Sequence, residues 1–185
     1  MATPRLGDVA EGERIAAALS EALGAADVAS LLLRRQAGLD PAALRPTIDR
    51  LRSMAQERGV AVLVEERVDL VKALGVDGVH LAALSDYRDA RRSLGPDLIV
   101  GVGSAARDEA MTAAEAGADY VAFGDFDDGS PTEATLELTD WWGALMTVPC
   151  VAAGCTGPDD AALLRDAGAD FIAIGAGLWA DPARL

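Results

Sequence analysis

The sequence predicts an α/β fold, a (β/α)8 TIM barrel whose first strand and last helix are missing or truncated. Three observations predict it. A short phrase recurs at Leu23-Gly24-Ala25-Ala26-Asp27-Val28, Leu74-Gly75-Val76-Asp77-Gly78-Val79, Ala116-Gly117-Ala118-Asp119-Tyr120-Val121 and Ala167-Gly168-Ala169-Asp170-Phe171-Ile172. Each copy reads as a helix end, a glycine able to take positive φ, an aspartate and an apolar run. The aspartates are separated by 50, 42 and 51 residues, about twice the length of one strand–helix unit, so one more strand belongs between each pair. Seven apolar runs then fit, each continuous rather than alternating, as parallel strands covered on both faces require.

In chain order, a helical stretch at 15–23 leads to the first visible strand at 28–33. Helix 44–56 precedes strand 60–64, helix 68–74 precedes strand 78–81, and helix 87–94 precedes strand 98–102. Helix 106–116, strand 120–123, helix 135–145, strand 148–153, helix 161–167 and strand 171–174 complete the series. Such alternation with right-handed crossovers leaves a closed barrel or an open doubly wound sheet. A fourfold recurrence at double spacing favours the barrel, where alternate strands share packing layers. The repeats then mark the even-numbered strands, and the first strand should lie in 1–12. Nothing there reads as a buried strand, and 178–185 is too short for a last helix. An open seam is expected where these two gaps meet.

Composition fits one domain, 1–185. The chain is 51% hydrophobic, enough for a sizeable core, and no apolar run approaches the roughly 20 residues of a membrane span. Cytoplasm is the expected location. A net charge of −14 argues against nucleic acid and anionic membranes, and 4% aromatic residues argue against stacking on bases. Cys150 and Cys155, five residues apart in extended chain, exceed disulfide reach and are expected as reduced thiols.

Chemistry in such a barrel sits where strands end. The repeated Asp27, Asp77, Asp119 and Asp170 stand before their strands, so they are expected to bond backbone amides on the opposite face. After the strands come Arg34, Glu65-Glu66-Arg67, Gly103-Ser104, the acidic stretch Gly124-Asp125-Phe126-Asp127-Asp128-Gly129-Ser130, Gly154-Cys155-Thr156 and Gly175-Ala176-Gly177. The last two turns form a candidate phosphate cradle, Gly154, Cys155, Thr156, Gly175, Ala176 and Gly177, because glycine lets backbone N–H groups converge on an anion. Gly103, Ser104 and Gly124 are further ligand-contact candidates. His80, the only histidine, lies within a strand. It is either a buried ring bonded to a neighbour or a proton-transfer group.

Asp77-Gly78-Val79-His80-Leu81, Gly117-Ala118-Asp119-Tyr120-Val121 with Phe123-Gly124, and Pro149-Cys150-Val151-Ala152 through Gly154 resemble thiamine-phosphate synthase and its sister, the thiazole tautomerase. The resemblance runs from about Ala17 to Asp181 and implies a (β/α)8 barrel. It implies one of two reactions: joining a pyrimidine pyrophosphate to a thiazole phosphate with Mg²⁺, or a metal-free isomerisation of a thiazole carboxylate phosphate. Carried over by position, Glu66 stands where the family has its Mg²⁺-binding Asp, and Arg67 is retained. Ala82-Ala83-Leu84-Ser85 replaces a Gly-Gln-Glu-Asp stretch whose Asp binds Mg²⁺, with Asp86 one place late. Leu32 and Gln36 flank Arg34 where the family has Gln and Lys.

The threonines and lysine that hold pyrophosphate fall at Gly129 to Thr132, within acidic surroundings, and the tautomerase histidine falls near Ala105. Arg34, Arg67 and His80 are therefore the catalytic candidates, and Glu66 and Asp86 the candidate Mg²⁺ ligands. Three readings follow. The first is a divergent member that binds a small phosphorylated heterocycle without the synthase reaction. The second is a working synthase. The third is an interaction protein that uses the open seam as a pairing edge, which also allows a homodimer.

Overall fold

The computed structural model describes residues 1–36, 43–127, 129–175 and 179. Its centre is a seven-stranded, wholly parallel sheet in sequence order: β1 Ser30–Leu33, β2 Ala61–Glu65, β3 Gly78–Leu81, β4 Ile99–Gly103, β5 Tyr120–Phe123, β6 Cys150–Cys155 and β7 Phe171–Ile174. The helices are α1 Val9–Ala25, α2 Arg45–Gln56, α3 Val68–Leu74, α4 Tyr87–Leu94, α5 Arg107–Glu115, α6 Glu133–Leu145 and α7 Pro158–Asp166. A short 3₁₀ turn, Leu84–Asp86, precedes α4.

α1 starts six residues earlier than the expected 15–23. Asp8 is the reason: its carboxylate caps the Glu11 N–H at 2.7 Å, while the Glu11 carboxylate accepts from the Gly7 N–H at 2.7 Å. α1 also runs through Gly24 to Ala25, so the first copy of the repeat does not end its helix at the glycine. In the other three copies the glycine does take positive φ, +66° at Gly75, +94° at Gly117 and +88° at Gly168.

Side chains alternate across each strand. Leu31, Leu33, Val62, Val64, Val79, Val100, Val102 and Val121 face the helices and form the main core. Leu32 and Leu63 face the axis with Ala2, where Ile99, Tyr120 and Phe126 pack on them. Trp142 of α6 is fully buried against Phe123 of β5, its Nε1–H donating to the Val148 carbonyl at 2.7 Å.

The expectation that 1–12 holds nothing strand-like is corrected. Ala2 and Leu6 form parallel bridges to Leu32 and Arg35, and Ala2, Thr3 and Leu6 are buried. The Ala2 N–H also donates to the Ile174 carbonyl at 3.1 Å. The segment from Met1 to Leu6 therefore stands one strand's width from both β1 and β7. It was illegible because it is short and broken by Pro4 and Arg5, and because its ladder partners are remote in sequence. A single backbone bond crosses to β7 among the described residues. The expectation about a last helix falls on residues outside those described.

Candidate functional site

Arg34 directly follows β1, and its side chain is only 1% exposed. A guanidinium so enclosed needs acceptors around it. Its Nε donates to Glu65 Oε1 at 3.0 Å, one terminal nitrogen to the Phe126 carbonyl at 2.9 Å, and the other pairs with Asp127 Oδ1 at 2.7 Å. Arg5 closes the set, donating to Glu65 Oε2 at 2.7 Å and approaching Asp127 Oδ2 at 3.5 Å. Two arginines thus face two carboxylates at the C-terminal mouth.

Glu65 reaches this cluster because it shares a face with Leu63 and pairs in register with His80. Glu66, the next residue, turns away at φ +63°, and its carboxylate accepts from the Ala82 N–H. Arg67 pairs with Asp69 on the surface and does not meet Arg34.

His80 is buried below the cluster. Its Nδ1 lies 3.0 Å from the Tyr120 hydroxyl, its ring is stacked on Tyr120 at 5.8 Å, and the Phe126 ring meets it edge-on at 4.9 Å. Burial, and then the Arg34 charge, hold His80 down to about 4. Burial pushes the Tyr120 phenol well above its ordinary value. At neutral pH both groups are therefore uncharged, and their bond is one between neutral partners. Tyr120 lies across Gly101, where an added Cβ would come within 1.9 Å of its ring.

The turns after β6 and β7 are packed by the chain itself. The Thr156 N–H and hydroxyl both donate to Asp160, a carboxylate in the first turn of α7. A Cβ on Gly154 would meet Pro131 at 2.9 Å, and one on Gly175 would meet the Asp127 carbonyl at 3.1 Å. Cys155 is a buried free thiol, raised by burial. Ala176 and Gly177 lie outside the described residues. Gly103 places its Cα side against His80, Ser104 donates to the Ala106 carbonyl at 2.8 Å just before α5, and Gly124 turns the chain at φ +87°.

Glu66 and Asp86 line one cavity of about 290 Å³ beside Val68, Leu81, Asp89 and Ala90. No group of three or more metal-binding side chains forms among the described residues. A divalent ion there would take two carboxylates from the protein and its other ligands from water and substrate phosphate, a set that Mg²⁺ accepts.

The family model for thiamine monophosphate synthase matches residues 6–178. The chain belongs to that family. It is 44% identical over 177 residues to the thiamine-phosphate synthase of Rhodospirillum centenum, covering 92% of this chain and 85% of that one. It is 42% identical to the enzyme of the same name from Hyphomonas neptunium, covering 95% and 82%. Among solved structures it resembles thiamine phosphate pyrophosphorylase from Pyrococcus furiosus, with a TM-score of 0.77, 26% identity, and 91% and 83% coverage.

Against this family, the sequence singled out Arg34 and His80, and the structure brings them to one mouth with the acidic stretch. Arg67 pairs instead with Asp69, and Glu66 and Asp86 share a cavity of their own. Arg5, Glu65, Tyr120 and Phe126 escaped selection. Strand parity from Leu63 points Glu65 to the axis, so that signal was available. Arg5 carried none, because its segment did not read as a strand.

Proposed function

We propose that this protein is a thiamine-phosphate-synthase-family barrel that binds a small phosphorylated heterocycle at its C-terminal mouth without carrying out the synthase reaction. One observation carries the reading. The enclosed cation of the mouth, Arg34, is fully engaged by Glu65, Asp127 and the Phe126 carbonyl. Departure of pyrophosphate builds up negative charge that needs cations aimed at it. Here carboxylates oppose both mouth arginines. The chain's single lysine, Lys72, lies on α3 and donates to the Ser93 carbonyl in the last turn of α4, on the opposite face.

A second reading, a working synthase, is favoured by the cavity that Glu66 and Asp86 share. It is also favoured by the identity to proteins named as synthases. Those two carboxylates would then hold Mg²⁺, which would neutralise pyrophosphate charge that the missing lysine does not.

The test is incubation of purified protein with the pyrimidine pyrophosphate, thiazole phosphate and Mg²⁺. The expected result is no thiamine phosphate above background, together with a raised melting temperature in thiazole phosphate alone. Steady formation of thiamine phosphate would replace this reading with the second.

A further inference from the structure

We infer that Phe126 and Asp127 are a built-in ligand mimic, so that the mouth is shaped for a planar ring bearing an anionic group on a short tether, and such a ligand enters by displacing them. The inference rests on the phosphorylated-heterocycle reading above and specifies its ligand.

The anionic half of the mimic is Asp127. Its two carboxylate oxygens face two guanidinium groups, Arg34 at 2.7 Å and Arg5 at 3.5 Å. The Phe126 carbonyl takes a second nitrogen of Arg34 at 2.9 Å. A guanidinium holding two adjacent oxygens is the arrangement in which arginine grips phosphate. Asp127 itself is 51% exposed, so it returns to water at little cost. Arg34 is 1% exposed and cannot be left short of acceptors. Whatever replaces Asp127 must therefore be an anion.

The ring half is Phe126. It packs on Leu32 and Leu63 at the axis and meets His80 edge-on. Withdrawing it uncovers a slot bounded by His80, stacked Tyr120 and the two leucines. His80 and Tyr120 are neutral and already bonded to each other, so the slot offers flat apolar faces and no charge. A planar ring refills it, whereas a flexible polar group would leave those faces wet. The mimic places ring and anion one residue apart, the span of a heterocycle with a short phosphate ester arm. Loop displacement also uncovers the turn at Gly175, against which the Asp127 carbonyl is packed.

A tethered competitor lowers apparent affinity by the fraction of molecules in which it has left. Calorimetric titration with thiazole phosphate should therefore show F126A/D127N binding at least about 10-fold tighter than the unmodified chain. Equal or weaker binding by the double variant overturns the inference. A second measurement needs no ligand. The single histidine gives one imidazole signal set by NMR. In F126A water reaches the ring, and the His80 midpoint should rise from about 4 toward its ordinary 6.5. The titratable and charged groups around that ring are Tyr120, Arg34 and the register partner Glu65, none of which F126A removes. An unchanged midpoint shows that Phe126 does not fill the mouth and overturns the inference. If neither protein binds thiazole phosphate, the ligand reading fails. The histidine signal then decides the loop alone: a rise keeps Phe126 as the plug of a closed mouth, and no change removes it.

Discussion

His80 joins the chemistry of the mouth to the stability of the fold. Its folded-state value near 4 lies below the ordinary 6.5, so the unfolded chain binds more protons between those limits. The His80 contribution is full above pH 6.5 and is lost as pH drops toward 4, by about 3 kcal/mol. The α-amino group of Met1, donating to the Ser30 carbonyl at 2.7 Å, acts in the same direction. Burial lowers it from 8.0 to about 6, so its part is lost between pH 8 and pH 6. His80→Gln keeps a partner for Tyr120 but cannot titrate. Urea unfolding at pH 7 and pH 4.5 should show a much smaller loss in H80Q than in the unmodified protein. Equal losses in the two would put the acid sensitivity elsewhere. At this scale the structure shows His80 buried and bonded to Tyr120, one of the two arrangements the sequence left open. Position in the family pattern selected Glu66 as a candidate Mg²⁺ ligand; strand parity places its neighbour Glu65 on Arg34, and the left-handed backbone at Glu66 turns its side chain to the Ala82 amide.

The repeated phrase is explained at the scale of strands and helices. Asp77 accepts from the Val62 N–H at 2.7 Å, Asp119 from the Val100 N–H at 2.7 Å, and Asp170 from the Cys150 N–H at 2.9 Å. In each case the aspartate entering one strand holds the start of the preceding strand, so the motif is a staple between neighbours in the sheet. Asp119 is also gripped by Arg91 of α4. Asp119→Ala leaves the fully buried Val100 without its amide partner and should cost about 1–3 kcal/mol, read by urea unfolding. Affinity for thiazole phosphate should stay within twofold, because these staples lie on the face away from the mouth. A large loss of affinity with intact stability would contradict that assignment. This logic was legible because it is local: a helix end, a turn glycine and an aspartate follow one another in the chain. Tyr120 was not legible. Its fit over Gly101 depends on the register of β4 against β5, which pairs those two residues across strands.

For the whole molecule, the decisive contacts join the ends of the chain. The indole N–H of Trp179 donates to the Ala2 carbonyl at 2.6 Å, across 177 positions. Trp179 is buried, the Ala2 N–H donates to the Ile174 carbonyl, and the flanking Met1 carbonyl and Thr3 N–H bond to Leu32, so one small segment ties β1 to β7. Trp179→Phe keeps much of the packing but strands that carbonyl, and it should lower stability by about 1–3 kcal/mol in a thermal melt. An unaltered melting temperature would mean that the seam does not depend on this bond. Beside the seam lies a cavity of about 930 Å³, reaching the axis at Leu32, Leu63, Ile99 and Tyr120 and bordered by Phe171 and Ala173 of β7. No helix among the described residues is long and apolar enough to cross a membrane.

The sequence by itself determined the seven strands, their parallel order, the inert face marked by the aspartates and the family. Each of these follows from local periodicity or from residues that are close in the chain. Only the tertiary structure decided that Met1 to Leu6 joins β1 and β7, that Glu65 meets Arg34, and that Phe126 and Asp127 reach His80 and Arg34. Those outcomes depend on which distant groups a buried cation and an unpaired backbone find when the sheet curls. Spacing along the chain carries no record of that.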